Sequence, residues 1–527
     1  MIVSPVKLAV NGSVAVIGAG VGGLSFAYFL SKLRPDLNIT IIEASDRKGG
    51  WINTSVFESD HEKPVLVEKG PRTLRGQSDG TTLMVDTLKA LKMQDAVLCI
   101  ESKSEANRKF LLDVNDSLVQ VPNSLNTLIH FLSSSLGRGL ITGLLGEPFR
   151  KLPVGALEED ESAHSLISRR FGNSEISNNI FSAIFHGIYA GDIKQLSAKR
   201  TLASIFALER KHGSLIRGML SSKKTKKLLE LPESLHTYQE SLNRDPKELL
   251  QLYGRLRKLP MLGLRNGLET FPKALSIALQ QNPKVNFELG SGVSQIDAKK
   301  EGHCNLLLAN GAKLNDFDHI RLTNTPKVIS RMIRDEALAH ELKQVHANTV
   351  VLLNFYLPNI DLVERYHSFG YLVPQSNQNQ EQLLGVIFDS VIEQNYKPLI
   401  EEESSTLATS KPKAYTKLTA MVGGHYLNRN GAQLKKSTDY IKDVKKALGR
   451  HLKISESELD RGHWEVTFAS ECLPQFFVHY DRWLKRIETD FETKFGSRVS
   501  LGGMAFSKGP GVPDVVMDGF EDAKSLS

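Results

Sequence analysis

The stretch Val14-Ala15-Val16-Ile17-Gly18-Ala19-Gly20-Val21-Gly22-Gly23 decides the fold of this chain. A short apolar run ends in Gly-x-Gly-x-x-Gly, and apolar residues at helical spacing follow from Leu24. Gly18 permits a tight turn, Gly20 lets the main chain approach a pyrophosphate, and Gly23 lets the helix pack closely on the sheet. The amide groups that begin the helix favour a negatively charged ligand. The stretch therefore predicts a strand–turn–helix unit that binds a dinucleotide.

A second strand supports this prediction. The run Ile39-Thr40-Ile41-Ile42 ends in Glu43, about 20 residues beyond the glycines, where an acidic side chain accepts hydrogen bonds from ribose hydroxyls. Two strands separated by a helical segment are typical of a parallel sheet. The predicted fold class is α/β, with a Rossmann-like cofactor domain.

Further motifs indicate which dinucleotide is bound. The segment Glu43-Ala44-Ser45-Asp46-Arg47-Lys48-Gly49-Gly50-Trp51 resembles the second signature of FAD oxidases in the amine-oxidase and protoporphyrinogen-oxidase superfamily. Glu68-Lys69-Gly70-Pro71-Arg72-Thr73 resembles its segment beside the isoalloxazine, and Val293 stands where the family places a main-chain contact to adenine. The resemblance implies FAD rather than NAD. The cofactor residues predicted in this way are Gly18, Ala19, Gly20, Val21, Gly22, Gly23, Glu43, Ala44, Arg47, Gly50, Trp51, Gly70, Pro71, Arg72, Thr73, Val293, Met504, Val512, Pro513 and Asp514.

Composition excludes several other classes of protein. The 527 residues suggest two or three domains, and the net charge of +7 is too modest to indicate nucleic-acid binding. Cys99, Cys304 and Cys472 are isolated, so we expect three reduced, buried thiols, no disulfide framework and no metal site. The first 13 residues are neither a signal peptide nor an Arg-rich transit sequence. No run of about 20 apolar residues predicts a membrane-spanning helix.

The resemblance also implies how the chain is divided. The predicted FAD-binding domain is discontinuous and comprises residues 1–102, 260–328 and 466–527. Residues 103–259 are predicted to form a largely helical, membrane-associating domain, and residues 329–465 a mixed α+β substrate-binding domain.

Two features of the predicted helical domain leave alternatives open. Residues 125–145 are conspicuously apolar, and they form either core helices or a surface that dips into one membrane leaflet without crossing it. The cluster Lys223, Lys224, Lys226 and Lys227 is either a solvated loop or a contact to anionic lipid headgroups.

Later motifs resemble those of the protoporphyrinogen oxidases. Asn107-Arg108-Lys109-Phe110 resembles an Asn-Arg-aromatic element whose arginine meets a substrate propionate, with Lys109 as a departure. Similar matches are Phe185–Asp192, His367–Pro374, Leu384–Ser390 and Leu418–Gly424. The resemblance implies Arg108, Gly187, Phe369, Leu372 and Met421 as substrate-binding residues, with Phe369 and Leu372 sandwiching the macrocycle. A planar guanidinium suits a carboxylate because it can bind bidentately.

Membership of the protoporphyrinogen oxidase family, with its mitochondrial fungal members as the nearest match, implies a specific activity. Protoporphyrinogen IX would be oxidised to protoporphyrin IX in the penultimate step of haem synthesis, with three flavin cycles that reduce O2 to hydrogen peroxide. No catalytic side chain is expected besides the flavin, because the cofactor performs the electron chemistry. The resemblance further implies a peripheral location on the mitochondrial inner membrane, a homodimer and a contact with ferrochelatase.

Three other functions compete with this interpretation. An amine oxidase would need an aromatic cage, and the sequence contains Phe369 but no clear paired tyrosines. A carotenoid desaturase would need a longer apolar tunnel and no carboxylate-binding Arg108. A flavin-stabilised membrane scaffold would bind the cofactor without turnover.

Overall fold

The computed structural model describes residues 8–57, 65–151, 159–224, 229–298, 302–400, 414–428 and 433–527. Its strands are β1 Ser13–Ile17, β2 Asn38–Ile42, β3 Thr54–Phe57, β4 Val65–Glu68, β5 Val97–Ile100, β6 Phe110–Leu112, β7 Leu118–Gln120, β8 Met261–Leu264, β9 Val285–Glu288, β10 Val293–Asp297, β11 Cys304–Leu308, β12 Lys313–Phe317, β13 His319–Leu322, β14 Ala347–Pro358, β15 Gly370–Leu372, β16 Leu383–Ile387, β17 Lys397–Pro398, β18 Tyr415–Gly423, β19 His463–Pro474 and β20 Val499–Leu501. Its helices are α1 Val21–Leu33, α2 Asp79–Ala90, α3 Leu125–Ser133, α4 Leu140–Gly146, α5 Ala163–Phe171, α6 Ser182–Tyr189, α7 Ala198–Thr201, α8 Ala203–His212, α9 Leu215–Lys224, α10 Glu233–Ser241, α11 Pro246–Leu256, α12 Thr270–Gln280, α13 Pro326–Met332, α14 Glu336–Leu342, α15 Asp389–Gln394, α16 Ser437–Leu452, α17 Glu456–Arg461, α18 Tyr480–Phe495 and α19 Val512–Ser525.

A five-stranded sheet lies at the centre of the cofactor region, in the order β20-β13-β1-β2-β9. Every neighbouring pair in it is parallel. Parallel strands require crossover connections, and helices α1, α12 and α19 supply the layer that covers one face. Phe29 of α1 meets Phe520 of α19 edge to face, with 5.5 Å between ring centroids. The predicted α/β class with a Rossmann-like sheet is confirmed.

The strands of this sheet come from distant parts of the chain. β1 and β2 lie near the amino terminus, β9 and β13 in the middle, and β20 near the carboxyl end. An antiparallel sheet, β10-β11-β12, lies between β9 and β13 in sequence. The remaining small sheets are β17-β5-β8 and the hairpin β3-β4. The parallel sheet therefore forms only when three separate stretches of sequence meet.

A second large sheet has seven strands in the order β19-β14-β18-β16-β15-β6-β7. Its pairs are antiparallel except β15 with β6, which are parallel. β6 and β7 lie inside the segment 103–259, for which a helical domain was predicted. The two strands escape a sequence pattern because each is only three residues long. They form because β6 pairs with the distant strand β15, which local propensity does not indicate.

Helices α3 to α9 combine buried charged side chains with exposed apolar ones. The Arg170 side chain is completely buried and donates to Glu147 Oε1 at 2.8 Å through its Nε. Glu209 is also completely buried, and its Oε1 lies 3.5 Å from Arg170 Nε. On the outside, by contrast, Leu145 and Phe149 are 71% and 79% exposed.

The predicted apolar stretch 125–145 coincides with α3, α4 and the turn between them. Within the described ranges, no single helix is long and apolar enough to cross a membrane. Leu125–Ser133 and Ser135–Phe149 together have that length and composition, but they bend by 88° at their junction. The basic cluster lies outside the described residues at Lys226 and Lys227, and nothing is described of the side chains of Lys223 and Lys224.

Candidate cofactor and substrate site

The glycine-rich turn has the geometry that its sequence predicts. Gly18 follows β1 with φ +106°, and its N–H donates to Ile42 O at 2.8 Å. That φ lies where residues with a side chain are strained. A Cβ on Gly23 would overlap the carbonyl oxygen of Gly18. The turn therefore admits only glycine at both positions, and its open side fits the pyrophosphate of a dinucleotide.

Glu43 is held beside this turn at the end of β2. The Ala19 N–H donates to Glu43 Oε2 at 2.9 Å, and the Ser45 N–H donates to Oε1 at 3.0 Å. A Cβ on Gly292 would lie 3.0 Å from the Cβ of Ala44, so the start of β10 at Val293 adjoins the same loop. The predicted ribose and adenine contacts thus lie next to each other.

The second glycine pair lies against the first turn. Gly49 has φ +114° and its N–H donates to Ala19 O at 2.8 Å, while a Cβ on Gly50 would lie 2.9 Å from Gly20 Cα. Arg47 donates to Ile52 O at 3.0 Å and also to Gly50 O. Arg47 therefore stabilises the shape of this loop, and Trp51 at its end is 41% exposed.

The Gly70–Thr73 segment connects the two large sheets. A Cβ on Gly70 would overlap the Trp51 carbonyl oxygen. Arg72 Nη1 donates to Asp389 Oδ1 and to Thr419 Oγ1, each at 2.6 Å. Because this guanidinium is engaged by the seven-stranded sheet, the part of Arg72 that stays available to a cofactor is its main chain.

The carboxyl end of the chain completes the cofactor site. A Cβ on Gly22 would lie 3.0 Å from Val515 Cγ1 and 3.6 Å from Gly503 Cα, so Met504 and Val512 lie close to α1. A Cβ on Gly80 would overlap the Pro513 carbonyl oxygen. The structure thus brings all five predicted cofactor segments together, although they span almost the whole chain.

The titratable groups near Asp514 influence one another. Burial raises the pKa of the Asp514 carboxyl, and Arg75 opposes that effect. Burial also raises the pKa of the Tyr189 hydroxyl to about 12, an effect that Asp514 adds to and Arg75 opposes. Tyr189 ends α6, the helix that carries Gly187. These groups come from the start of α19, the end of α6 and the segment after Thr73.

Three predicted substrate residues share one face of the seven-stranded sheet. Met421 pairs with Gly385, and Gly385 pairs with Leu372, so these positions form a row across β18, β16 and β15. A Cβ on Gly187 would lie 3.0 Å from Leu372 Cδ2. Gly187, Leu372 and Met421 are thus brought together, with helix α6 packed over the row.

The next row of the same face adjoins the cofactor region. Gly370 pairs with Ile387 and Ile387 with Thr419, the residue that accepts from Arg72. The face that carries Leu372 and Met421 therefore fronts the Gly70–Thr73 segment. Ile387 lies on this face by its register, and sequence analysis had not selected it although it lies in the matching segment Leu384–Ser390.

The other two predicted substrate residues do not join this row. Phe369 N–H donates to Arg108 O at 2.9 Å, so the two residues are neighbours through their main chains. The Phe369 side chain packs against the core cluster that contains Tyr371 and Phe388. Arg108 follows the short helical turn Glu105–Asn107 that precedes β6, and its side chain is exposed. Phe110, the first residue of β6, stacks edge to face on Tyr366.

Metal and thiol chemistry receive no support from the described residues. Among them, no group of three or more His, Cys, Asp or Glu side chains could hold a metal ion. The three cysteines are buried thiols, as predicted. Burial raises the pKa of both Cys304 and Cys472 to about 11, which disfavours a reactive thiolate.

Comparisons with known proteins agree with this geometry. The family model for flavin-containing amine oxidoreductases matches residues 21–519. A protoporphyrinogen oxidase of Saccharomyces cerevisiae is 47% identical over 541 residues and covers 100% of both chains. The human protoporphyrinogen oxidase is 25% identical, with 98% of each chain covered.

Solved structures show the same fold. A crystal structure from Exiguobacterium sp. 255-15, provisionally assigned as a protoporphyrinogen oxidase, superposes with a TM-score of 0.71 at 19% identity and covers 98% of this chain and 99% of that chain. The cyclohexylamine oxidase from Brevibacterium oxydans IH-35A superposes with a TM-score of 0.59 at 14% identity, with 98% of each chain covered. The family match over nearly the whole sequence, the full-length relative and the glycine cradle agree: this chain belongs to the protoporphyrinogen oxidases, within the flavin-containing amine oxidoreductase family.

Proposed function

We propose that this chain is an FAD-dependent oxidase that converts protoporphyrinogen IX to protoporphyrin IX with O2 as acceptor. The observation that carries the proposal is 47% identity to a protoporphyrinogen oxidase over the entire length of both chains. The pocket supports it, because an apolar macrocycle requires an apolar surface beside the flavin. The row of Leu372 and Met421 provides such a surface.

The cofactor supplies the electron chemistry. FAD, when bound, takes hydrogen equivalents from the substrate and passes them to O2. Removal of six electrons and six hydrogens needs three rounds, and three O2 become three H2O2. This stoichiometry balances the conversion of protoporphyrinogen to protoporphyrin.

The residues of the chain bind, orient and shield. The glycine turn at Gly18 to Gly23 holds the pyrophosphate, and Glu43 holds the ribose. Gly187 lets α6 approach the sheet closely, since a Cβ there would lie 3.0 Å from Leu372 Cδ2. The packed apolar row excludes water from the reacting carbon, which protects the reduced substrate from side reactions. By resemblance, Arg108 would bind a propionate.

One experiment tests the whole proposal. The purified protein should show the absorbance bands of an oxidised flavin, and porphyrin fluorescence should rise when protoporphyrinogen IX is added in air, with one H2O2 for each O2 consumed. The matched control omits protein, because the substrate also oxidises spontaneously. Turnover of amines such as cyclohexylamine without turnover of protoporphyrinogen would replace this function with that of an amine oxidase. A flavin that turns over neither would favour the scaffold interpretation.

We also propose that helices α3 and α4 contact a membrane surface. Large apolar side chains are exposed along both helices and the turn that follows them: Leu125 72%, Ile129 59%, Ile141 54%, Leu145 71% and Phe149 79%. Met219 and Leu220 of α9 are 52% and 58% exposed, and α9 packs beside the Glu147–Phe149 turn. Large apolar side chains this exposed on neighbouring elements are typical of a surface that contacts a membrane or a partner.

Basic side chains at the edge of this surface suit anionic headgroups. Arg138, Arg150 and Lys151 are all exposed. A wash with high salt should release the protein from membranes only in part, because apolar insertion is not screened by salt. Quantitative release by salt alone would leave electrostatics as the entire attachment.

The finer location and partners are proposals by resemblance. They are the mitochondrial inner membrane, a homodimer and a contact with ferrochelatase. Fractionation of organelles tests the first, and sedimentation of the detergent-solubilised protein tests the second. Cross-linking in isolated membranes tests the third.

A further inference from the structure

The Gly70–Thr73 segment is fixed to the cofactor region through its main chain. A Cβ on Gly70 would overlap the Trp51 carbonyl oxygen, so the segment lies directly against the loop of the second glycine pair. Leu74, the residue after the segment, exchanges main-chain hydrogen bonds of 2.9 and 2.8 Å with Leu262 of β8. Because the main chain makes these contacts, the side chains of the segment are available to bind the other large sheet.

Two side chains of this stretch do bind the seven-stranded sheet. Lys69 Nζ lies 2.5 Å from Glu465 Oε1 on β19. Arg72 Nη1 donates to Asp389 Oδ1 and to Thr419 Oγ1, each at 2.6 Å. The side chains of Arg72 and Asp389 are each only 8% exposed. Charge-assisted hydrogen bonds that are shielded from water hold their partners in one geometry, so this contact is suited to fixing a position.

The partners on the sheet lie side by side. Asn354 of β14 pairs with Glu465 of β19 on one side and with Thr419 of β18 on the other. Residues that are paired across strands point to the same face. The Thr419 hydroxyl donates to Asp389 Oδ2 at 2.7 Å, and Asn354 Oδ1 lies 2.7 Å from the same hydroxyl. We call Glu465, Asn354 and Thr419 the polar row, and the two cations of the flavin stretch bind its two ends.

The polar row lies next to the row of predicted substrate residues. Two positions further along the strands, Met421 pairs with Leu352 and with Gly385, and Gly385 pairs with Leu372. A step of two residues keeps the same face and moves about 7 Å along a strand. The sheet backbone therefore sets the spacing between the anchor of the Gly70–Thr73 segment and the surface formed by Leu372 and Met421.

We propose that Asp389 and Thr419 are positioning residues for the oxidation. Through Arg72 they fix the Gly70–Thr73 segment, and with it the isoalloxazine that this segment approaches, at a set distance from the row of Leu372 and Met421. The inference rests on the proposed function, since it needs a flavin in the site. Transfer between a bound ring and a cofactor depends steeply on their separation, and a misplacement of about 1 Å can cost 100-fold in rate. Sequence analysis had selected neither residue.

Thr419 offers a test in which the shape of the side chain is kept. Thr419→Val removes the hydroxyl and keeps the branched side chain, whereas Thr419→Ser keeps the hydroxyl. In the FAD-loaded enzyme, Thr419→Val should lower kcat for protoporphyrinogen IX by about threefold or more, because Arg72 loses one of two acceptors. Thr419→Ser should stay within about twofold of wild type. Rapid anaerobic mixing with the substrate measures the same change directly as the rate of flavin reduction.

Asp389→Asn should have the larger effect, because it removes the charge that binds Arg72. Flavin reduction should slow by about 10-fold or more. Asp36→Asn is the matched control: Asp36 accepts from Arg34 at 2.8 and 2.7 Å, so the same change breaks another Arg–Asp pair of the cofactor region. That pair lies beyond the far end of α1, about 20 Å from the glycine turn. Flavin reduction in Asp36→Asn should match wild type.

Three further measurements separate positioning from a loss of binding or of folding. Quenching of protoporphyrin IX fluorescence should give a Kd within about twofold of wild type in Asp389→Asn and Thr419→Val, and both should retain FAD. Reoxidation by O2 after chemical reduction should keep its rate, since that step does not use the substrate row. Visible circular dichroism of the bound flavin, recorded without porphyrin, should change in these two variants but not in Asp36→Asn or Thr419→Ser.

Three results would overturn the inference. The first is flavin reduction within twofold of wild type in both Asp389→Asn and Thr419→Val. The second is a raised Kd with an unchanged kcat, which would make these residues part of substrate binding. The third is an equal loss in Thr419→Ser and Thr419→Val, which would indicate packing instead of the hydroxyl. If Asp389→Asn is obtained without flavin, the two Thr419 variants decide by the same criteria.

Failure of the proposed function gives a different result. A wild-type enzyme that does not oxidise protoporphyrinogen IX would contradict the function, whatever the variants do. The circular dichroism of the bound flavin would still show whether Asp389 and Thr419 fix its position, so the two failures are distinguishable.

Discussion

The parallel-sheet region and the α3–α9 region both bury charged side chains, but they differ in their outer surfaces. Arg321 of β13 is 1% exposed and pairs with Asp518, and Arg170 of α5 is completely buried and pairs with Glu147. On the outside, α12 exposes Ile277, whereas large apolar side chains are exposed along α3, α4 and the turn after them, namely Leu125, Ile129, Ile141, Leu145 and Phe149. A bilayer accepts hydrocarbon and rejects charge, so an outer surface of this kind suits contact with a membrane.

The largest expected effect is on the cofactor side. Gly23→Ala should abolish FAD binding, because the added Cβ would overlap the Gly18 carbonyl oxygen. The purified variant should lack flavin absorbance. Gly213→Ala is the matched control in the helical region, since φ there is +67° but nothing lies within 4 Å of the added Cβ. Gly213→Ala should lower the free energy of unfolding by about 1 to 2 kcal/mol, and the variant should keep its flavin. A Gly23→Ala protein that keeps its flavin absorbance would contradict the proposed role of the glycine-rich turn.

The next effect tests the charged interior. Arg170→Met should destabilise the α3–α9 region by about 3–5 kcal/mol, because Glu147 and Glu209 would be left buried with a lost partner. Thermal unfolding and limited proteolysis measure the change, and cleavage should fall between residues 138 and 217. Arg217→Met on α9 is the control, because that side chain is exposed. Equal stability of the two variants would refute the special role of the buried pair.

Acid should affect the parallel sheet through His319. Burial lowers the pKa of this imidazole to about 4, from about 6.5. The folded state keeps the imidazole neutral, so its full contribution to the free energy of unfolding is present above pH 6.5. As the pH falls from 6.5 to 4, the unfolded chain takes up a proton that the folded chain does not, and this contribution is lost. The loss is about 3 kcal/mol. Denaturant titrations of wild type and His319→Gln at several pH values measure this loss as the difference between their free energies of unfolding. Burial raises the pKa of Asp518 to about 7, which has the opposite pH dependence. Both proteins contain Asp518, so its effect cancels in the difference. Parallel pH curves for the two proteins would contradict this prediction.

The smallest effect concerns the apolar surface. Leu145→Asp should lower binding to phosphatidylcholine–cardiolipin vesicles about 10-fold or more, since one buried leucine contributes about 1.5–3 kcal/mol. Folding stability should change by less than about 0.5 kcal/mol, because the side chain is exposed. Ile277→Asp on α12 is the control: it is 55% exposed but lies in the cofactor region. Equal loss of binding in both variants would show that α4 is not the contact.

Local sequence was sufficient for the cofactor turn. Gly18 has a positive φ and Gly23 has no room for a side chain, and each is required by atoms within a few residues. Glu43 follows directly from the end of β2. Short-range constraints of this kind can be read from residue type and spacing, and here the predicted and observed geometry agree.

The substrate pocket was predictable only in part. Gly187, Leu372 and Met421 come together, but they were chosen by resemblance to a family rather than from periodicity. Ile387 was not selected, because nothing in an apolar strand indicates which face meets the flavin. Asp389, the partner of Arg72, is 317 residues away in sequence. No local pattern indicates such a contact.

The sequence by itself determined the α/β class and the glycine-rich turn that suits a dinucleotide. Only the tertiary structure decided which residue of β6 shares the face of Leu372: it is Leu111, whereas Phe110 lies on the other face. The physical reason is the period of two in a β-strand: a shift of one residue exchanges the two faces, and the register of β6 is set by pairing with β15, about 260 residues further along the chain.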